Sequence, residues 1–164
     1  MKKYEFTGEV KVVFGITLHR IRAAVSFGLV VKGELGGWIE KEENLSQNGN
    51  AWVCGNAKVY GNAKVYGNAE VCGNAKVYGN AEVYGNAKVY GDAKVYGNAD
   101  YIVFKNWWSS GRWFTWTRSN NKWRVGCFFG TGAELIAKAY KDSEKSGREY
   151  ERVVKYVESI LNEQ

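Results

Sequence analysis

The chain has 164 residues, of which 45% are hydrophobic and 24% are charged, and it carries a formal net charge of +6 at pH 7. This composition excludes a disordered chain and predicts one folded domain, or one repeat array with end pieces. No apolar run is long enough to span a membrane and the first residues do not resemble a secretory signal, so we expect a cytoplasmic protein without membrane contact.

Residues 1–48 are predicted to form strands that cover the N-terminal end of the fold. The predicted strands are Tyr4–Phe6, Val10–Phe14 and Thr17–Ala24. The stretch Leu35–Ile39 is expected to begin an irregular first coil of the repeats, with Leu45 in phase with the alanines that follow. We therefore predict an N-terminal β cap, because a stack of strands would otherwise expose unpaired edges.

Residues 49–104 carry the most informative pattern of the chain. Nine consecutive hexads run from Gly49 to Ile102 without an insertion, and seven of them are close variants of Gly-Asn-Ala-Lys-Val-Tyr. Short tandem units of fixed length are typical of a β-solenoid. Alternation along a strand turns the alanine and valine of each hexad inward and the residue between them outward. Glycine and asparagine are suited to the sharp corners.

The charges of the hexads indicate how many of them make one coil. Three hexads per coil would stack Lys64 on Glu82 and Glu70 on Lys88, whereas two per coil would stack Lys64 on Lys76. Like charges directly opposite each other are destabilising, so three hexads per coil are favoured and residue i lies under residue i+18.

The three cysteines are an odd number, and no pair of them has the spacing of a metal site. The eighteen-residue register places Cys54 under Cys72, where the two could reach each other. We predict that they are stacked free thiols in a reducing compartment. The sequence assigns no role to Cys127.

Residues 105–164 are predicted to form a β-hairpin followed by two helices. The hairpin strands are expected at Trp113–Thr117 and Lys122–Phe129. One side of this hairpin is expected to face the helices, with Phe114, Trp116, Trp123, Val125, Cys127 and Phe129. The other side would carry Trp113, Thr115, Lys122 and Arg124, with Arg112 and Arg118 beside them.

The first helix is predicted to begin with a capping box and the second to carry an apolar stripe. Thr131 and Glu134 have the capping-box spacing, and Gly147 is expected to end the first helix. The stripe of the second helix consists of Tyr150, Val153, Val154, Val157, Ile160 and Leu161.

The hexads resemble the left-handed β-helix proteins of the hexapeptide-repeat group, in which an aliphatic residue is followed four positions later by a small one, as Val53 is by Ala57. The left-handed coil is implied by this resemblance. The whole chain resembles small hexapeptide-repeat proteins of phages and prophages. That resemblance includes residues 14–22, Leu35–Glu40, the hexads and the stretch Gly126–Gly130 before the helices.

The composition argues against catalysis. His19, the one histidine, precedes the repeats and alternates with apolar and cationic neighbours, so we interpret it as structural. The enzymes that share the resembled fold use a histidine base or three histidine ligands for zinc. The hexads have no inserted loop and no nucleophile signature. We predict no catalytic residue, no metal and no cofactor, and keep a hexapeptide acyltransferase only as a second alternative.

Two surfaces are candidates for binding a partner. The first consists of the columns Lys58, Lys76, Lys94 and Tyr60, Tyr78, Tyr96, which could meet phosphates or an acidic protein surface. The second consists of Arg112, Trp113, Arg118, Lys122 and Arg124 of the hairpin, a composition typical of interface hot spots and of base-stacking platforms. Either set could also be a solvated face or the cationic rim of a core.

Together these patterns predict a non-catalytic binding protein. The resemblance to phage proteins implies interference with a bacterial host or defence protein, such as a CRISPR effector, in the host cytoplasm. The alternative is a protein that binds or sequesters a nucleotide or nucleic acid. A homo-oligomer, either a dimer or a trimer, is expected because prism-shaped solenoids of this resemblance associate side by side.

Overall fold

The computed structural model describes residues 1–108 and 111–163. The fold begins with an antiparallel hairpin in which strand β1 (Tyr4–Val13) pairs with β2 (Ile16–Ala23). The two turn residues, Phe14 and Gly15, have φ angles of 50° and 78°. Positive φ at both positions matches the right-handed twist of the strands that the turn connects.

The N-terminal strands differ from the prediction in one respect. The segments expected at Tyr4–Phe6 and Val10–Phe14 form the single strand β1, with a bulge between Phe6 and Val10. Strand β3 (Leu35–Ile39) pairs antiparallel with β2. It also pairs in parallel with the solenoid strand at Lys58–Val59, so that the hairpin and the solenoid share one six-stranded sheet. The hairpin therefore continues a sheet of the solenoid.

Eight two-residue strands follow, one in each of the first eight hexads. They are β4 (Trp52–Val53), β5 (Lys58–Val59), β6 (Lys64–Val65), β7 (Glu70–Val71), β8 (Lys76–Val77), β9 (Glu82–Val83), β10 (Lys88–Val89) and β11 (Lys94–Val95). Strands three hexads apart pair in parallel and give the stacks β5–β8–β11, β4–β7–β10 and β6–β9. The predicted solenoid with three hexads per coil is confirmed, and it makes about three turns.

The inside of the solenoid is filled by the alanine and valine of the hexads. Every one of these side chains from Ala51 to Val95 is at most 1% exposed. Each coil is joined to the next by backbone hydrogen bonds, such as the one from Lys58 N–H to the Ala75 carbonyl at 2.9 Å. The corners bring backbones together so closely that a Cβ at Gly67, where φ is 70°, would lie 3.0 Å from the amide nitrogen of Gly85. Glycine is therefore required there.

The first coil does not follow the eighteen-residue register. Leu45 bridges to Val65, so positions 45 and 65 are offset by 20 residues, and Leu45 stacks on a valine. The prediction that Leu45 is in phase with the alanines is therefore wrong. Trp38 pairs with Lys58 at the same offset, whereas Trp52 pairs with Glu70 at 18, so the two extra residues lie between Leu45 and Trp52. A 3₁₀ turn at Glu42–Asn44 precedes them, and the Asn44 side-chain amide donates to the carbonyl oxygens of Ala63 at 2.9 Å and Gly61 at 3.2 Å.

The stacked cysteines are bonded to each other. Cys54 and Cys72 form a disulfide with a Cα–Cα distance of 4.6 Å, whereas Cys127 is free and exposed. The prediction of stacked free thiols is therefore wrong. The eighteen-residue register is the reason, because it holds the two Cα atoms of adjacent coils within the range that a disulfide spans.

After the solenoid, four strands form an antiparallel sheet in chain order. They are β12 (Tyr101–Lys105), β13 (Trp113–Thr117), β14 (Lys122–Val125) and β15 (Phe128–Gly130). The predicted hairpin is present as β13 and β14, but its second strand ends at Val125 rather than Phe129. Gly126, with φ of 54°, reverses the chain so that Phe129 pairs across from Arg124.

Two helices complete the chain, α1 (Gly132–Asp142) and α2 (Glu144–Asn162). The capping box is confirmed, because Thr131 Oγ1 accepts from Glu134 N–H and Glu134 Oε1 accepts from Thr131 N–H. The prediction that Gly147 ends the first helix is wrong. The Ser143 hydroxyl accepts from Ser146 N–H and starts α2 at once, so that Gly147 is buried inside α2.

The sheet and the helices share a second core. Its buried members are Phe114, Trp116, Trp123, Val125, Leu135, Ala139, Tyr150, Val154 and Val157. The predicted stripe of α2 and the predicted helix-facing side of β13 and β14 thus meet each other. In the described part of the chain, no helix combines the length and the apolarity needed to cross a bilayer.

The C-terminal module lies against the last coil of the solenoid. Two backbone N–H groups of the last coil, which would donate to a further coil if there were one, donate instead to side chains of the C-terminal module. Lys88 N–H donates to Thr115 Oγ1 at 3.0 Å and Lys94 N–H to Ser119 Oγ at 2.7 Å. These bonds satisfy donors of the terminal strand edge, which would otherwise be open to pairing with another chain.

Candidate interaction surface

The lysine column predicted from the repeats exists. Lys58 pairs with Lys76 and Lys76 with Lys94 on adjacent coils of one sheet, and Tyr60, Tyr78 and Tyr96 stack beside them. The residues face outward because each lysine stands between an inward alanine and an inward valine. These six residues are called the Lys–Tyr face below.

Three residues of the N-terminal strands extend this face. Trp38 of β3 is in register with Lys58, and Arg20 of β2 is paired with Trp38. The Lys11 ammonium lies 4.1 Å from the centroid of a Trp38 ring, and the Arg20 guanidinium carbon lies at 5.7 Å. Lys11, Arg20 and Trp38 are called the Trp38 group. Sequence reasoning missed it, because Trp38 joins the lysine column only through the twenty-residue offset of the first coil.

The two groups together concentrate positive charge. Burial, followed by the nearby cations of Lys11 and Lys76, lowers the pKa of Lys58. None of the ion pairs among residues 1–108 and 111–163 includes Lys11 or any lysine of the Lys–Tyr face, whereas Arg20 is paired with Glu9 at 3.4 Å. An anionic ligand would therefore relieve repulsion that the folded chain itself does not neutralise.

The tyrosine rings of the Lys–Tyr face stack on one another. The ring centroids of Tyr60 and Tyr78 are 5.2 Å apart with an interplanar angle of 5°, and those of Tyr78 and Tyr96 are 5.7 Å apart at 28°. Burial and the neighbouring Tyr78 raise the pKa of Tyr60. The stack hides most ring faces and presents ring edges and phenol hydroxyls to solvent.

An apolar pocket opens beside the tyrosines. It has a volume of about 250 Å³ and lies between Tyr60 and Tyr78 on one side and the end of the β1–β2 hairpin on the other. The hairpin residues that line it are Val13, Phe14, Ile16 and Leu18. The pocket can receive an apolar side chain next to the lysine column.

The structure distributes the five hairpin candidates over different places. The Arg124 guanidinium stacks 4.2 Å from the Tyr90 ring centroid of the solenoid, and the Lys122 ammonium lies 5.4 Å from the centroid of Phe129. Trp113 lines a cavity of about 390 Å³ with Tyr84 and is 38% exposed. Much of this side of the sheet thus faces the last coil.

The other two arginines of that set line two different cavities. Arg112 lines a cavity of about 460 Å³ beside Cys127 and Lys138, and Arg118 lines a small one of about 50 Å³ beside Ile160. The five residues are therefore not brought together on one face.

The position of Phe129 corrects one further expectation. Phe129 was expected to face the helices, but a Cβ at Gly91 of the solenoid would lie 2.5 Å from its ring carbon Cζ. Phe128 packs against the helix-side core in its place. The expectation assumed one strand with alternating side chains from Lys122 to Phe129. The reversal at Gly126 interrupts that strand and so changes the side on which Phe129 lies.

His19 lies in β2, outside the Lys–Tyr face. Its ring stacks on Phe6 of β1 with a centroid distance of 4.6 Å and an interplanar angle of 8°. The side chain is half-buried in the N-terminal hairpin.

The fold and this surface define the chain as a parallel β-solenoid with a C-terminal module of four antiparallel strands and two helices. No family model matches its sequence, and no match was found among curated proteins.

Proposed function

We propose that this chain is a binding protein whose Lys–Tyr face, extended by the Trp38 group, binds an acidic surface of a partner protein. The observation that carries the proposal is the column of cations on successive coils. Lys58, Lys76 and Lys94 lie side by side, and Lys11 adds a fourth cation near Lys58. Neighbouring strands are about 4.8 Å apart, so a partner would need carboxylates at similar spacing.

The pocket beside the column supplies an apolar anchor point. A side chain that enters between Tyr60 and Leu18 would be surrounded by apolar walls, beside the stacked tyrosines that flank the lysine column. Interface hot spots commonly consist of such a desolvated pocket surrounded by polar contacts. The partner we expect therefore presents an apolar side chain next to acidic residues.

The stacked tyrosines favour a protein partner over single-stranded nucleic acid. Nucleobases bind to free aromatic faces, but Tyr78 has a ring on each side of its own. Phenol hydroxyls and ammonium groups can still hydrogen-bond carboxylates. Binding of a nucleotide or nucleic acid through its phosphates is the alternative, and it is supported by the same cations.

The biological role is proposed from the resemblance to phage and prophage hexapeptide-repeat proteins. We propose that the partner is a bacterial host protein, such as a defence effector, and that the chain acts without catalysis as a homo-oligomer. The stacking of His19 on Phe6 supports a structural role for this histidine. A left-handed coil and a capping role for residues 1–48 are part of the same proposal.

The experiment is a pull-down from bacterial lysate, followed by binding measurements with the purified partner. Lys58→Ala, Lys76→Ala and Lys94→Ala are combined in one variant, and Lys64→Ala with Lys88→Ala on the other two sheets is the matched control. Because the first variant removes like-charge repulsion, it should fold at least as stably as the wild type. We expect it to lose the partner and the control to keep it.

Three results would contradict the proposal. Equal binding by both variants would place the partner elsewhere, and a salt-dependent affinity for oligonucleotides in the absence of a protein partner would favour the alternative. Turnover of an acyl-CoA that is lost in His19→Ala would show that the chain is an enzyme.

A further inference from the structure

The strongly exposed apolar side chains of the fold are unevenly distributed. Among the described residues, all the large aliphatic side chains that are exposed lie within residues 1–35. Val10 and Val12 of β1 are 53% and 67% exposed, and Phe14 of the turn that follows is 90% exposed. Contiguous exposed apolar residues commonly mark an interaction site.

Strand β1 is also the outermost strand of its sheet. The strand order is β1-β2-β3-β5-β8-β11, so β1 has ten residues along an edge on which no other strand of the described residues pairs. A long edge strand presents a row of unpaired N–H and C=O groups, which is a template for another strand.

The two faces of β1 have different chemistry. Glu9 pairs with Arg20 on the face that carries the Trp38 group. On the other face, Phe6 stacks on the His19 ring and Val10 lies across from His19. Phe6 and Val10 thus remain on one face across the bulge, and β1 keeps an apolar face and a charged face along its length.

We propose that β1 pairs antiparallel with β1 of a second copy of this chain, about a two-fold axis at Val10. This proposal rests on the homo-oligomer proposed above and specifies it as a dimer with one interface. Residues whose numbers add up to 20 then lie opposite each other. Glu9 lies opposite Lys11 of the second copy, twice in the interface.

Charge complementarity favours a second copy of this chain as the occupant. Lys11 has no ion pair within the described residues, although it lies close to Trp38, and Glu9 is 56% exposed at the side-chain level. The second copy's Glu9 supplies the missing carboxylate. Opposite charges directly across two strands stabilise the pair, whereas like charges destabilise it.

The first test uses charge reversal and sedimentation or light scattering on the full chain. The wild type is expected at twice 18.5 kDa. Glu9→Lys alone and Lys11→Glu alone each place like charges opposite each other twice, and should weaken the dimer by about tenfold or more. The double variant restores opposite charges across the interface and should restore the dimer. Within each copy, the charges next to Arg20 and Trp38 remain reversed in this variant.

The second test locates the axis by cross-linking. In a Cys127→Ser background, Val10→Cys should form a disulfide between two copies, because residues at the axis lie opposite themselves at about 4.5–5.5 Å between Cα atoms. Val12→Cys is the matched control, since its copies would be roughly 13 Å apart along the strands.

The outcomes separate this inference from the broader proposal. A monomer, a trimer, or a dimer that ignores both single charge reversals would overturn the β1 interface. Efficient cross-linking at position 12 instead of 10 would overturn the axis. A trimer would leave the proposed homo-oligomer intact. None of these results bears on the column Lys58, Lys76 and Lys94, although in the dimer Glu9 of the second copy would neutralise the charge that Lys11 adds beside it.

Discussion

Reduction of the bond between Cys54 and Cys72 is expected to destabilise the solenoid strongly. The bond joins two consecutive coils and closes a loop with a sequence separation of 18 residues. The loop-entropy relation gives a stabilisation of about 3 kcal/mol for a loop of this size. With a urea m-value of roughly 2 kcal/mol/M, the midpoint of unfolding should fall by about 1.5 M on reduction.

The assay compares oxidised and reduced protein in urea, followed by fluorescence of the tryptophans. Alkylation without reductant, measured by intact mass, should modify the single free thiol of Cys127 and leave the other two cysteines unmodified. Cys127→Ser is the control, because it should keep the full effect of reduction. Equal midpoints before and after reduction, or three alkylated thiols in the native protein, would refute the reasoning.

Three further predictions concern the packing and titration of single side chains. Gly147→Ala should destabilise the helix pair by about 1–3 kcal/mol in thermal unfolding, because its Cβ would overlap the ring of Tyr140. Arg124→Ala should cost about 1–2 kcal/mol, because it removes the guanidinium stacked on Tyr90 that joins the C-terminal module to the solenoid. Burial lowers the pKa of Lys3 from 10.5 to about 8, so the unfolded chain binds more protons between these values and stability should rise from pH 8 towards pH 10. Lys3→Met should abolish this rise, and unfolding midpoints at each pH would measure it.

The solenoid and its lysine column could be predicted because each hexad carries the same information. The choice between two and three hexads per coil was decided by the signs of residues such as Lys64 and Glu82, which indeed pair on adjacent coils. Every further hexad repeats the register, so no long-range contact has to be known. The outward columns follow directly from it.

The Trp38 group could not be predicted in the same way. Its register depends on the two extra residues between Leu45 and Trp52, which change the offset between coils from 20 to 18. The position of these residues is defined by pairing between residues about twenty positions apart and has no local pattern. The side of the sheet on which Phe129 lies could not be predicted either, because it depends on the turn at Gly126.

The Lys–Tyr face and the tryptophan and arginine residues of the hairpin were both candidate binding surfaces in the sequence, but in the structure they have different surroundings. Tryptophan and arginine near a strand are suited to a partner interface, but Arg124 meets Tyr90 of the same chain and Thr115 accepts from a backbone donor of the last coil. The hairpin thus completes the end of the solenoid. The lysine column has no such partner in the described residues, and burial, followed by the nearby cations of Lys11 and Lys76, lowers the pKa of Lys58. An anionic partner would offset the repulsion between these cations, which is why we propose that this face binds the partner.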